Sequence, residues 1–96
     1  MRLVGTTGSF QLPRGRHLVG RDPAAAVRLE SRGCSRRHAV ICVTEAGVTV
    51  EDQASSNGTF VDDERITECR ALRGGETVVF SDSLFRVELL TGSEPR

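Results

Sequence analysis

The 96-residue sequence has no lysine, no tryptophan, no tyrosine and no long apolar run. No stretch approaches the ~20 apolar residues that a membrane-spanning helix requires. The opening segment MRLVGTTGSF holds one arginine and is not apolar enough for a signal peptide. We therefore expect a soluble, cytoplasmic chain with no membrane partner, although a domain cut from a longer protein would look the same.

Cysteine and histidine are also scarce. The three cysteines, Cys34, Cys42 and Cys69, are odd in number and irregularly spaced, so they do not indicate a disulfide framework. With only two histidines in the chain, they do not supply the ligands of a zinc site either. The sequence predicts reduced thiols, no metal and no cofactor.

The charges are balanced in number but not in position. The formal net charge is zero, which argues against a general nucleic-acid-binding protein. Residues 1–38 carry eight arginines and two acidic residues, whereas residues 39–96 carry five arginines and eleven acidic residues. A GC-rich coding bias explains the lack of lysine as simply as function does. In either case, the planar guanidinium of arginine is well suited to binding phosphate or carboxylate.

No segment keeps a 3.6-residue apolar period through three helical turns, so long helices are not expected. Short β-type runs separated by turn residues recur along the whole chain. These runs are 2–5, 9–12, 17–21, 26–29, 38–43, 47–52, 59–61, 65–67, 76–80 and 84–90. The pattern predicts one all-β domain over residues 1–91, an antiparallel β-sandwich or barrel. Residues 92–96 are expected to form a flexible tail or linker.

In such a domain the binding residues usually lie on loops at one end of the strands. Three loops stand out: the one after run 17–21, the one that contains GCSRRH at 33–38, and the one that contains SSNGT at 55–59. Strand 38–43 leaves the end at which GCSRRH lies, and strand 47–52 returns to it. The sequence therefore predicts that one hairpin joins the last two loops at the same end.

The cluster GCSRRHAV at 33–40 is open to four interpretations: a nucleophile with its base, half of a metal site, a docking site for an anion, or the end of a strand that carries polar side chains without a function. A nucleophile is disfavoured because no acidic residue is tied to His38 and no strand–nucleophile–helix elbow is present. A phosphate site needs fixed donors and positive charge. Arg21 and Ser35 provide such groups, although Arg21 could instead pair with Asp22 or Asp52, and Ser35 could be a simple turn residue.

Three blocks, VGRD at 19–22, SRRH at 35–38 and SSNGTFV at 55–61, resemble the signature blocks of the forkhead-associated (FHA) domain. The segment RALRGGETVVF at 70–80 also resembles a late segment of that family, and the likeness runs from Leu3 to Leu90. The resemblance implies a β-sandwich of 10–11 short strands whose apical loops bind phosphothreonine peptides. The implied partner is a protein or peptide phosphorylated on threonine, a substrate of a Ser/Thr kinase.

The resemblance also implies a role for each matching residue. The phosphate-binding residues would be Arg21, Ser35, Arg36 and Ser56, and Asn57 would bind the peptide backbone. The residues that structure the loops would be Gly20, His38, Gly58 and Thr59. A plain hairpin turn is the other interpretation of Asn57-Gly58, because both residue types tolerate positive φ.

The chain departs from the family pattern at Asp62, where the family usually has asparagine; this acidic residue could cap a turn or tune the charge preference for peptides. Two other functions stay open besides phosphothreonine recognition. One is a scaffold or oligomerisation module that binds partners without phosphate, and the other, disfavoured, is an enzyme such as a phosphohydrolase.

Overall fold

The computed structural model describes residues 1–6 and 8–89, which form strands and loops without a helix. The predicted end of the domain at residue 91 and the predicted tail 92–96 lie outside this range. No helix in the described ranges is long and apolar enough to cross a membrane. The eleven strands of the described residues are β1 Arg2–Val4, β2 Ser9–Gln11, β3 Gly15–Gly20, β4 Val27–Arg28, β5 Ala39–Thr44, β6 Gly47–Asp52, β7 Thr59–Val61, β8 Glu64–Arg65, β9 Arg70–Leu72, β10 Thr77–Phe80 and β11 Ser83–Glu88.

The strands form two sheets, one of six strands in the order β2-β1-β11-β10-β7-β8 and one of five in the order β4-β3-β5-β6-β9. The predicted antiparallel β-sandwich is therefore confirmed. One pair, β3 and β4, is parallel, with Val19 opposite Val27. Residues 21–26 cause this difference, because they carry the chain back along the sheet edge before β4 begins.

One strand prediction was wrong in detail, and one strand was missed. Of the predicted run 65–67, only Arg65 belongs to a strand, which is β8 at Glu64–Arg65. The reason is that Asp62 and Asp63 form a two-residue turn, with φ of 50° and 69°, that places Glu64 opposite Val61. Strand β9 was not predicted at all. It is an edge strand of three residues whose pairing with β6, Leu72 opposite Val48, is a tertiary contact that no local pattern reveals.

The core lies between the sheets and extends up to the loops at one end. Alternate residues of the strands point into it, and Leu3, Ile41 and Phe80 are fully buried. Burying one such side chain contributes about 1.5–3 kcal/mol. The ring of Phe80 meets the imidazole of His38 edge to face at 6.0 Å, so the core directly supports the loop that holds His38.

The three loops do meet at one end, which we call the apical end. Strand β3 ends there at Gly20, and β5 and β6 pair as the predicted hairpin with Ala39 opposite Asp52. Residues 53–58 then cross to the other sheet, where β7 begins at Thr59. Asn57-Gly58 is therefore not a hairpin turn, and only Gly58 has positive φ, at 90°.

Candidate functional site

Strand β3 and the 33–38 loop approach each other more closely at Gly20 than a side chain allows. The amide of Arg21 donates to the carbonyl oxygen of Ser35 at 3.1 Å, and the amide of Asp22 donates to that of Arg36 at 3.1 Å. A Cβ on Gly20 would lie 2.1 Å from the Arg36 carbonyl oxygen, deep inside van der Waals contact. Glycine at this position therefore fixes the backbone of the two loops together.

The side chain of Arg21 is held in place from within the site. Its Nε–H donates to the carbonyl oxygen of Cys34 at 2.6 Å. In residues 1–6 and 8–89 no ion pair includes Arg21, so the possible pairing with Asp22 or Asp52 is not made. Both terminal guanidinium nitrogens are thus oriented and available to a ligand.

Ser35 connects its loop to the 53–58 loop. Its Oγ accepts a hydrogen bond from the amide of Ser56 at 3.1 Å. Because a hydroxyl has one donor and two acceptor positions, the proton of Ser35 stays available for an anion. The side chains of Arg36 and Ser56 are exposed beside it and make no hydrogen bond within the described part of the chain.

Asn57 ties the same two loops from the other side. Its Nδ2 donates to the carbonyl oxygen of Gly33 at 2.7 Å. One N–H and the Oδ1 of the amide remain free to bind a peptide backbone. Gly33 is itself crowded, because a Cβ there would lie 2.4 Å from Oγ of Ser81 and 3.0 Å from Nδ2 of Asn57.

His38 lies beneath the loops and is fully buried. Its Nδ1 accepts the backbone N–H of Ser35 at 3.1 Å, and its Nε2 lies 2.8 Å from the carbonyl oxygen of Gly58. Since a carbonyl oxygen only accepts, Nε2 carries the proton and the ring is the neutral Nε2–H tautomer. One imidazole therefore satisfies a backbone donor of one loop and a backbone acceptor of the other.

Besides His38, a second group of side chains holds the loops together, and Asp52 and Ser55 were not identified as its members from the sequence. The carboxylate of Asp52, at the end of β6, accepts Oγ–H of Ser55 at 2.5 Å, the amide of Ser55 at 3.1 Å and Oγ1–H of Thr59 at 2.7 Å. Ser55 in turn accepts the amide of Gly58 at 3.0 Å. An aspartate followed three residues later by serine is a signal for such a side-chain-to-backbone turn, and this signal could have indicated Asp52 and Ser55.

These hydrogen bonds change the acidity of Asp52. Burial raises the pKa of its carboxyl group, but the hydrogen bonds from Ser55 and Thr59 outweigh that effect and hold the pKa below its ordinary value. The carboxylate therefore stays ionised and committed to the loop.

We expect Asp52→Asn to lower the free energy of unfolding by about 1–3 kcal/mol at neutral pH, because an amide cannot accept all three hydrogen bonds. The folded-state pKa is depressed, so the carboxylate stabilises the fold fully above the unfolded-state pKa and loses that effect as pH falls through the folded-state pKa. The difference in free energy of unfolding between the wild type and the variant, measured by urea unfolding, should therefore become smaller in acid. Asp63→Asn, in an exposed turn, is the control, and a gap independent of pH would contradict this assignment.

Cys34 is buried within the same loop, with Sγ 3.5 Å from Nδ1 of His38. Burial raises the pKa of its thiol, while the nearby Arg21 guanidinium lowers it to a smaller extent and Asp82 adds to the rise. The reactive thiolate is thus disfavoured. Cys34 packs as a small apolar residue in the loop.

Asp62 lies far from these groups. Strand β7 runs away from the apical end, from Thr59 to Val61, and Asp62 follows at the far end of this strand. Its Oδ1 accepts the amide of Thr77 at 2.9 Å. This geometry favours the turn-capping interpretation of Asp62 over a role in peptide charge preference.

The predicted phosphate-binding residues lie at the surface: Arg21, Arg36 and Ser56 are exposed, and Ser35 is half-buried. A groove of about 640 Å³ lies nearby, between residues 5–6, 8–10, 28–31 and 82–85, but none of the predicted phosphate-binding residues lines it. In the described ranges, no three His, Cys, Asp or Glu side chains are grouped so that they could hold a metal ion. The arrangement offers cationic and hydroxyl donors to an anion in contact with solvent.

Comparison with known proteins identifies the family. The sequence profile of the FHA domain matches residues 17–81. The transcriptional regulatory protein EmbR of Mycobacterium tuberculosis is 33% identical over 75 residues, which are 78% of this chain and 19% of EmbR. The chain thus spans about a fifth of the length of this curated relative.

Solved structures agree with this assignment. Mycobacterium tuberculosis EmbR in complex with a low-affinity phosphopeptide superposes with a TM-score of 0.89 at 28% identity, over 98% of this chain and 25% of that one. A structure from an analysis of phosphothreonine-dependent FHA domain interactions has a TM-score of 0.86 at 28% identity, over 99% of this chain and 97% of that one. With the three signature blocks assembled at one end of the sandwich, the chain belongs to the FHA domain family.

Proposed function

We propose that this chain is a phosphothreonine-dependent peptide recognition module without catalytic activity. It binds a phosphorylated partner, or a phosphorylated segment of its own protein, on its apical loops. The observation that carries this proposal is the convergence of Arg21, Ser35 and Arg36 at a surface where the neighbouring carboxylates of Asp22 and Asp52 already accept hydrogen bonds from their own loops.

The phosphate is bound by the groups that the loops leave free. The terminal nitrogens of Arg21 and the guanidinium of Arg36 offer charge-assisted hydrogen bonds to its oxygens. The hydroxyl protons of Ser35 and Ser56 add neutral donors. A phosphate near neutral pH has almost two negative charges and three acceptor oxygens, which this donor set matches.

The remaining residues hold the peptide and the loops. The free amide atoms of Asn57 bind the peptide backbone. Gly20, His38, Gly58 and Thr59 keep the loops in register through the close approach and the hydrogen bonds described above.

The environment of His38 supports a non-catalytic role. Both ring nitrogens are used by backbone groups, and Nδ1 accepts the amide of Ser35, not its hydroxyl. Sγ of Cys34 also lies 3.5 Å from Nδ1, but this thiol is buried and its thiolate is disfavoured, so the ring does not activate it as a nucleophile. The proposed location is the cytoplasm, which fits the free thiols of Cys34, Cys42 and Cys69.

The test is calorimetric titration with a phosphothreonine peptide selected from an oriented phosphopeptide library, its unphosphorylated twin and its phosphoserine twin. We expect binding of the phosphothreonine peptide and none of the unphosphorylated one. The phosphoserine peptide should bind about fourfold more weakly, because burying the threonine methyl is worth ~0.8 kcal/mol. Equal binding of the unphosphorylated twin would instead support the phosphate-independent scaffold, and release of free phosphate would reveal an enzyme.

A further inference from the structure

One face of the six-stranded sheet has a row of apolar side chains that lies outside the core. Phe60 of β7 lies opposite Val79 of β10, Val79 lies opposite Leu84 of β11, and Phe60 also lies opposite Arg65 of β8. Residues opposite each other in neighbouring strands share a face of the sheet. We call these four side chains, Arg65, Phe60, Val79 and Leu84, the outer row.

The outer row points away from the core. Within each strand its members alternate with buried residues, such as Thr59 and Val61 on β7 and Val78 and Phe80 on β10. Leu84 is 54% exposed and is the one large hydrophobic residue of the described chain with such exposure. In a strand with one face in solvent, the residues that point outward are usually polar. Three outward-pointing apolar side chains opposite one another therefore indicate a contact surface.

The outer row begins at the phosphopeptide site. A Cβ on Gly58 would lie 2.8 Å from Nε of Arg65 and 3.2 Å from Cε1 of Phe60. These two side chains therefore pack against the residue that follows Asn57. A peptide held by Asn57 has only to pass over Gly58 to reach them.

Arg65 is available to a partner. None of the ion pairs among residues 1–6 and 8–89 includes Arg65, and the neighbouring Glu64 pairs with Arg70 instead. Arg65 is exposed, beside Gly58 of the apical loop. Its charge suits a carboxylate in the partner, and its planar fork can bind both carboxylate oxygens.

We propose that the outer row is a second contact surface for the phosphorylated partner, and this proposal rests on the function proposed above. Its occupant is an extended flank of the phosphothreonine segment. That flank has an acidic residue near the phosphothreonine, which pairs with Arg65, and apolar residues farther away, which cover Phe60, Val79 and Leu84.

The dimensions of the sheet set the spacing in the peptide. Neighbouring strands lie ~4.8 Å apart, and Leu84 is two strands from Phe60, so the apolar part of the row is roughly 10 Å long. An extended chain rises ~3.3 Å per residue and covers this distance with about three residues. The acidic residue should therefore fall within about three positions of the phosphothreonine, and the apolar residues within the next three.

The experiment is a phosphothreonine peptide library with six random positions on each side, selected on the wild type and on three variants. Leu84→Ser and Arg65→Gln alter the outer row. Arg86→Gln is the control, since Arg86 lies on the same face one row lower and pairs with Glu88. The wild type and the control should select an acidic residue and then apolar residues on one flank.

Each variant should lose one part of this selection. Leu84→Ser should lose the apolar preference and bind the best wild-type peptide roughly three- to tenfold more weakly, while a peptide truncated before its apolar residues binds both proteins equally. Arg65→Gln should lose the acidic preference. Two results would overturn the proposed role of the outer row and leave the proposed function intact. One is phosphate-dependent binding with no preference for flanking residues, and the other is the same flanking preference in all four proteins. Loss of phosphate dependence itself would overturn both.

Discussion

Replacing Arg21 with alanine is expected to weaken binding of a phosphothreonine peptide by roughly 10- to 100-fold or more, because charge-assisted hydrogen bonds contribute about 1.5–3 kcal/mol. Arg21 donates its Nε–H to Cys34 of its own domain and presents the other two nitrogens outward in a fixed plane. Lysine keeps the charge but not this geometry. We therefore expect Arg21→Lys to bind much more like the alanine variant than like the wild type.

The control for this series is Arg16→Ala, because Arg16 is an exposed arginine on β3, the strand that Arg21 follows, and it lies near the end of β3 away from the apical loops. Calorimetric affinity and melting temperature are measured for all four proteins, since Arg21→Ala also removes a hydrogen bond between loops. If a folded Arg21→Ala protein bound the phosphopeptide as tightly as the wild type, phosphate recognition by these loops would be the wrong function. The phosphate-independent scaffold would then be preferred.

Replacing His38 with alanine is expected to lower the free energy of unfolding by about 2–5 kcal/mol, the largest effect of any single substitution on stability that we predict. The change leaves the amide of Ser35 and the carbonyl oxygen of Gly58 without their buried partner, and each such loss costs about 1–3 kcal/mol. It also leaves a cavity against Phe80. For a domain of this size, the melting temperature should fall by roughly 10 °C or more.

His17→Ala is the matched control, because this histidine lies on β3 and its ring makes an exposed hydrogen bond, between Nε2 and the carbonyl oxygen of Pro13 at 2.7 Å. It should change the melting temperature little. Peptide binding by His38→Ala should weaken as a consequence of looser loops. A His38→Ala protein with the melting temperature of the wild type and no binding would instead make His38 a direct contact to the ligand.

Much of the fold could be predicted because local sequence patterns determine where strands and turns form. The alternation in residues 48–52 and 85–89 marks strands with one buried face, and turn residues mark where those strands end. The hairpin of β5 and β6 followed from its short connection alone. The order of signature blocks around Arg21, Ser35 and Asn57 indicated the site, since short motifs are preserved in the linear sequence.

The chain by itself therefore determined that the domain is all-β, that the loops at 33–38 and 55–59 share one end, and which residues are candidates for binding the phosphate. Only the tertiary structure decided which strand pairs with which, that β4 runs parallel to β3 and that residues 53–58 cross between the sheets. It also decided the contacts of Asp52 with Ser55 and Thr59, and the row from Arg65 to Leu84. The physical reason is that periodicity specifies which face of a strand is buried but not its neighbour. Contacts between residues distant in sequence exist only once the order and register of the strands are fixed.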